Sequence, residues 1–272
     1  MQKFDAVVVG GGPGGYECAI RLSQNGLKTA LVEKDELGGT CLNRGCIPTK
    51  ALLHSADLYH GALHAAQFGV SAGEVSFDYA GMVQNSKAVS KRLRDGVAFL
   101  EKNHGVTVFH DSAVVGDRNT VRLASGEELA CERIIIATGS DPARIPIPGT
   151  DLPGVVDSTG LLNLTTCPER IVIIGAGVIG MEFATLYAKL GVAVTVIEML
   201  DRALAPFDED VIRFVEADLK DKGVGLVLGA RVSAIEEGLR VKYALKDGSD
   251  VIFPGDRLQV IGSDEQLTKF AH

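Results

Sequence analysis

Apolar runs of strand length alternate with amphipathic stretches along most of this chain. Ala6-Val7-Val8-Val9 is a continuous apolar run that stops at Gly10-Gly11-Gly12-Pro13-Gly14-Gly15. Helical spacing follows from Gly14 to Ser23, and Thr29-Ala30-Leu31-Val32-Glu33 reads as a second strand. The same order returns at Ile171-Val172-Ile173-Ile174, then Gly175-Ala176-Gly177-Val178-Ile179-Gly180, a helix to about Leu190, and a strand Ala193–Glu198. Between the two copies the pattern predicts a helix over Tyr79–Asn103 and a small β excursion near Val106–Ile136. After the second copy it predicts a helix over Asp208–Lys222 and a strand near Gly225–Leu228. Pro142, Pro146, Pro148 and Pro153 mark a link. The expected fold is α/β: two Rossmann-like, three-layer dinucleotide-binding domains, residues 1–148 and 149–272. The tail is atypical from about residue 250, with Pro254 to Leu267 reading as turn, strand, turn and helix start.

The glycines give each copy its chemistry. In G-x-G-x-x-G, Gly10 permits the tight turn, Gly12 lets the backbone approach a pyrophosphate, and Gly15 lets helix and strand pack closely. The helix N-terminus then turns its free N–H groups toward the phosphates. Glu33 and Glu198 end the second strand of each copy, where a carboxylate accepts hydrogen bonds from ribose hydroxyls. Gly10 precedes Glu33 by 23 positions, and Gly175 precedes Glu198 by the same 23. One such motif is weak evidence; two with matching strands, helices and acids point to two dinucleotide sites. A carboxylate at Glu198 repels a 2′-phosphate, and the only arginine in the next four residues is Arg202, so the second site is expected to prefer NAD over NADP.

Composition narrows the field. With 46% hydrophobic and 23% charged residues the chain buries a core, and wholesale disorder is excluded. Lys and Arg total 27 against 35 Asp and Glu, a net charge of −8, which argues against nucleic acid or an anionic membrane as partner. No apolar run reaches the length of a membrane span and Met1–Asp5 carries no targeting pattern, so a soluble, cytoplasmic protein is expected. Five cysteines are too few for a secreted disulfide framework.

Two of those cysteines stand apart, in Leu37-Gly38-Gly39-Thr40-Cys41-Leu42-Asn43-Arg44-Gly45-Cys46-Ile47-Pro48-Thr49-Lys50. In an ideal helix, positions five apart have Cα atoms roughly 8–9 Å apart, whereas a disulfide tolerates about 7 Å. Bridging Cys41 to Cys46 therefore requires a distorted turn, which Gly45 can provide, and Pro48 suits the first turn of a following helix. A thiol near a helix N-terminus favours redox chemistry. Two buried cysteines or half a metal site are the alternatives, but no second ligand pair accompanies them. Cys18, Cys131 and Cys167 read as core or loop residues. His60 and His64, four apart on a helix, read as an exposed polar face, and no metal site is expected.

The segments Gly10–Gly15, Gly38–Lys50, Ala137-Thr138-Gly139-Ser140 and Gly175–Gly180 resemble the flavoprotein disulfide reductases, and the stretch from Gly39 to Leu53 most resembles their dihydrolipoyl dehydrogenase branch. The likeness runs over roughly residues 1–245. It implies FAD in the first copy, with Gly10, Gly12, Gly14 and Gly15 at the pyrophosphate, Glu33 on the adenosine ribose and Lys34 as a further cofactor-binding residue. Thr40, Cys41, Lys50, Thr138 and Gly139 line the flavin half, Gly39 and Ser140 are further cofactor-binding residues, and the backbone from His110 to Ala113 meets the adenine. It implies NAD in the second copy through Gly175, Gly177, Ile179, Gly180 and Glu198, with Val232 against the adenine. Glu182 matches a glutamate near the nicotinamide and near the lysine equivalent to Lys50; on its own terms it is an ordinary first-turn carboxylate. The implied chemistry is a relay in which Cys41 exchanges with a small-molecule or lipoyl-domain dithiol and Cys46 lies nearer the flavin, the electrons passing on to NAD⁺.

The resemblance also implies parts beyond this chain's pattern. The family continues with a second FAD segment and a dimerisation domain that supplies a His-Glu acid–base pair. Neither is matched here, and Gly262-Ser263-Asp264-Glu265 stands where a Gly-Arg-Arg-Pro-like turn is expected. Family members are dimers; with that domain missing a monomer and impaired turnover are expected, because acid–base help is worth about 10²–10⁴ in rate. Two further readings stay open: a reductase of another acceptor (a small disulfide, mercuric ion or quinone), and a non-catalytic dinucleotide-sensing module. The intact cysteine pair argues against the sensor.

Overall fold

The computed structural model describes residues 1–254 and the backbone of 257–260. By backbone packing the chain divides into two units, one of residues 1–48 with 85–141 and one of 49–84 with 142–272. In the first, β1 (Gln2–Val9), α1 (Pro13–Gln24) and β2 (Thr29–Glu33) form the opening βαβ unit, and α2 (Gly39–Arg44) follows. The chain crosses to the second unit within α3 (Cys46–Leu63) and returns within α4 (Tyr79–Asn103). Then come β3 (Thr107–His110), β4 (Ala113–Asp117), β5 (Thr120–Leu123) and β6 (Glu128–Ile136). The sheet order is β3-β2-β1-β6-β5-β4. β3, β2, β1 and β6 run parallel, whereas β4 and β5 add antiparallel. The expected excursion after Val106 is thus split. β3 belongs to the parallel core, where Val108 and Phe109 pair with Leu31 and Val32, and only β4–β5 form a hairpin on its far side.

The second unit continues with β7 (Val155–Val156), α5 (Ser158–Leu161), β8 (Arg170–Ile174), α6 (Val178–Lys189), β9 (Ala193–Ile197), α7 (Glu209–Asp221) and β10 (Gly225–Val227). A meander of β11 (Arg231–Glu236), β12 (Arg240–Ala244) and β13 (Asp250–Phe253) precedes β14 (Arg257–Val260). The order β10-β9-β8-β14-β7 is all parallel, and β11-β12-β13 make a separate antiparallel sheet. β14 is the strand expected after Pro254; the helix start and the Gly262–Glu265 segment expected beyond it lie outside the described residues.

Packing departs from a single break near residue 148. Leu52 and Ala56 of α3 and Tyr79 and Val83 of α4 are buried in one cluster with Phe183, Leu186 and Tyr187 of α6, and the Tyr79 and Tyr187 hydroxyls lie 2.7 Å apart. That shared core draws residues 49–84 to the second unit. The inner strands owe their places to uninterrupted apolar runs: Ala6, Val7, Val8, Ala30 and Leu31 are fully buried in one sheet, as are Ile173 and Val196 in the other. No helix among the described residues is long and apolar enough to cross a membrane.

Candidate functional site

Each unit builds the same turn from its own residues. Gly10 has φ +106° and Gly175 φ +105°, a region L side chains rarely adopt. Gly12 and Gly177 are the N-cap residues of α1 and α6, with φ/ψ of −73°/−178° and −72°/179°. A Cβ on Gly15 would stand 1.7 Å from the Gly10 carbonyl oxygen, and one on Gly180 2.1 Å from that of Gly175. The third glycine of each motif is therefore fixed by helix–strand packing. In the first motif the second glycine leaves space: a Cβ on Gly12 would meet only Gly39 Cα, at 3.7 Å, and one on Gly14 nothing within 4 Å. Residues Thr138, Gly139 and Ser140 follow β6 exposed, next to the point where Ala137 abuts Gly10.

The two acids are held alike. Gly11 N–H donates to one Glu33 oxygen at 2.6 Å and Asp35 N–H to the other at 2.8 Å. Ala176 N–H donates to Glu198 at 2.7 Å and Leu200 N–H at 2.8 Å. Each carboxylate is clamped against its own glycine turn while keeping free lone pairs for a hydroxyl donor. Pattern reading missed this clamp, since its donors are backbone groups; the equal 23-residue spacing was the available signal. Arg202, the one arginine in the four residues after Glu198, gives its Nη2 to the carbonyls of Ala205 and Phe207 at 2.5 and 2.7 Å.

The cysteine segment is broken where expected. α2 ends at Arg44, Gly45 takes φ/ψ of −144°/−112°, and α3 starts at Cys46, with Pro48 in its first turn. Cys41 is half-buried and Cys46 exposed. In the first unit the Tyr16 phenol, packed in the same cluster as Cys41, is pushed above its ordinary range by burial and then by Glu17 and Cys41. By contrast burial pushes the Cys131 thiol up, and that of Cys167 to about 11, as suits inert core residues.

The remaining expected residues are placed as follows. Lys34 and Thr40 are exposed, and Gly39 is half-buried at φ +55°. Ala113 opens β4, half-buried. In the second unit Lys50 Nζ donates to Glu182 Oε1 at 2.6 Å, so the pair named from the resemblance is an ion pair. Gly177 and Ile179 are exposed in the α6 turn. Val232 is buried with Ile235, Val241 and Tyr243 in the meander core.

Geometry of this kind defines a class before it defines a member: the dinucleotide-linked disulfide oxidoreductases. Residues 4–262 match the profile of the pyridine nucleotide-disulphide oxidoreductases, and the chain belongs to that family. It is 42% identical over 260 residues to a dihydrolipoyl dehydrogenase of Acholeplasma laidlawii, covering 94% of this chain and 76% of that one. To the Bacillus subtilis dihydrolipoyl dehydrogenase it is 39% identical over 275 residues, covering 95% of this chain and 58% of that one. The Cu(II) complex of RclA, an HOCl-induced flavoprotein disulfide reductase from Escherichia coli, superposes with a TM-score of 0.80 at 32% identity, over 97% of this chain and 57% of that one. The chain thus spans about three quarters of the first relative and a little over half of the other two.

Proposed function

We propose that this chain carries the nucleotide-binding and thiol–disulfide machinery of a dihydrolipoyl dehydrogenase-type oxidoreductase, binding FAD through residues 1–148 and NAD through 149–272. The observation that carries this reading is the duplicated turn and acid clamp with a broken-helix cysteine pair in one copy only. The residues fit the groups. Gly12 and Gly14 leave open backbone for a pyrophosphate, Glu33 keeps lone pairs for a ribose, and Lys34, Gly39, Thr40, Ala113, Thr138, Gly139 and Ser140 are assigned around the same nucleotide. Gly175, Gly177, Ile179 and Gly180 repeat the cradle for NAD. The Glu198 carboxylate and the engagement of Arg202 by backbone carbonyls support NAD over NADP. Glu182, paired to Lys50, is assigned to the nicotinamide end, and Val232 to the adenine end.

Bound FAD would accept two electrons and bound NAD⁺ would take them as hydride; the rest is the protein's work. A substrate thiolate attacks the Cys41 sulfur of the oxidised pair, the S–S bond breaks, and Cys46 leaves as thiolate. The second substrate thiol then displaces Cys41, its proton passing to the departing Cys41 sulfur, so the substrate leaves as a disulfide and both electrons remain on the cysteines, Cys41 as thiol and Cys46 as thiolate. Gly45 keeps the two sulfurs off a regular helical spacing, as ring closure demands.

Anaerobic absorbance titration of the purified protein tests this. A retained flavin that gains long-wavelength absorbance on adding reduced lipoamide, with Cys46→Ser lacking it, supports the reading. Colourless protein that takes up NADH alone sinks the catalytic part. Turnover with small disulfides but not lipoamide would move the substrate elsewhere.

A further inference from the structure

Asn43 lies between the two cysteines in sequence, and its side chain reaches back to the loop before α2. Nδ2 donates toward the carbonyls of Glu36, Leu37 and Gly39 at 3.3, 3.1 and 2.9 Å. Two hydrogens thus serve three acceptors, and the loop is curled around one amide. Oδ1 accepts from Arg94 Nη1 of α4 at 2.9 Å, and Arg94 also pairs with Glu36. A guanidinium donates and never accepts, so it admits only the carbonyl end of the amide and turns the nitrogen to the loop.

That loop lies directly on the first glycine turn. Gly38 N–H donates to Gly11 O at 2.8 Å, and a Cβ on Gly39 would stand 2.6 Å from Gly12 Cα. α2 has only six residues, too few to hold a helix by its own hydrogen bonds. Its position therefore depends on such tethers.

We infer that Arg94 and Asn43 are positioning residues that join the Cys41-bearing helix to the nucleotide turn, so that one contact sets both FAD affinity and the tendency of Cys41 and Cys46 to close. This rests on the proposed redox role of the pair. Loosening the tether lowers the effective concentration of one sulfur at the other and frees the backbone over Gly12.

The test uses Asn43→Asp, Arg94→Met and Arg94→Lys in the full chain. FAD is titrated by fluorescence. Separately, the cysteine pair is equilibrated with dithiothreitol and its cyclic disulfide, an exchange of two electrons and two protons that needs no nucleotide, and thiols are counted by alkylation. Asn43→Asp removes every donor and should weaken FAD about tenfold and disfavour the closed pair by a similar factor. Arg94→Met should give a severalfold loss in both, Arg94→Lys should recover most of it, and the double variant should be no worse than Asn43→Asp alone. Folded variants with either readout unmoved, or with losses that add, would overturn the inference. Should Asn43→Asp fail to fold, the Met-to-Lys rescue at Arg94 decides alone. If the parent protein binds no FAD and never closes the pair, the function reading has failed instead. The tether is then read by hydrogen exchange, where the Gly38 amide must exchange faster in Arg94→Met.

Discussion

In the first unit the chain turns from β1 into α1 with Gly10 at φ +106°, and in the second from β8 into α6 with Gly175 at +105°. Both acids then accept two backbone N–H groups at 2.6–2.8 Å. Both sheets place their first four strands alike, β3-β2-β1-β6 against β10-β9-β8-β14. What differs is the crossover from second strand to third. In one copy it holds only α7; in the other it holds α2, α3 and α4, and with them Cys41 and Cys46. The carbonyl after the first glycine is also met differently. Gly11 O receives the N–H of Gly38 at φ +93°, whereas Ala176 O receives that of Leu204 at φ +48°. A backbone of glycines covers one turn, and a leucine, at some strain, covers the other. The glycine turn is thus a reusable part, and the thiol chemistry proposed for Cys41 and Cys46 belongs to an insertion beside one copy of it.

If the turns are equivalent, breaking either should cost alike. Gly15→Ala and Gly180→Ala each drive a methyl into a carbonyl oxygen, at 1.7 and 2.1 Å before relaxation, so each should lose several kcal/mol in urea unfolding, about 3 or more. Gly180→Ala should abolish NADH binding while sparing FAD, and Gly15→Ala the reverse. Tolerance of one and not the other would end the equivalence.

Acidity should separate the units next. Glu101 of α4 is fully buried in the first unit with neither carboxylate oxygen hydrogen-bonded, and burial pushes it up to about 7 from 4.5. No other buried carboxylate among the described residues lacks a partner. A raised carboxyl favours the fold while neutral, so its contribution is complete below about pH 4.5 and is lost as pH rises through about 7. The span is of order 3 kcal/mol. Glu101→Gln should flatten the fall in stability between pH 4.5 and 8 and leave the NADH site untouched; an unchanged slope would show that the carboxyl finds a partner in solution.

The parallel cores and both turns were legible because apolar runs and glycines report local rules: an inner strand must be apolar on both faces, and a φ near +105° demands glycine. The helix Tyr79–Asn103 was readable residue for residue for the same reason. Three features were not. The capture of residues 49–84 by the second unit depends on Leu52, Ala56, Tyr79 and Val83 meeting α6, a long-range packing event without periodicity of its own. The acid clamps use backbone N–H groups, which every residue has. Arg94 reaches Asn43 across 51 positions, and nothing in the pattern of α4 distinguishes it from the solvated cations beside it.

A gentler probe returns to the acids. Glu33 is 8% exposed and Glu198 half-buried, although both make the same pair of bonds. Glutamine keeps one acceptor oxygen and turns an N–H₂ toward a backbone donor, orphaning it. Glu33→Gln should cost about 2 kcal/mol and Glu198→Gln about 1, the more buried site losing more. Each should weaken its own nucleotide roughly tenfold. For Glu198→Gln the preference for NADH over NADPH should shrink, measured by paired titrations. An undiminished preference would move cofactor selection to another residue.

The smallest effect expected is the one that best separates packing from binding. Gly14 sits in the first turn of α1, where an added Cβ meets nothing within 4 Å, whereas in α6 the equivalent position is already filled by Ile179, 39% exposed. Gly14→Ala removes a flexible residue from a helix and should raise the stability of the nucleotide-free protein by up to about 1 kcal/mol. If the open space is the pyrophosphate cradle, the same methyl should weaken FAD by a severalfold factor. Stability and affinity would then move in opposite directions from a single carbon atom. Were FAD affinity to rise or hold steady with stability, the first turn would tolerate a side chain as the second does, and its open space would have to be assigned to something other than a bound phosphate.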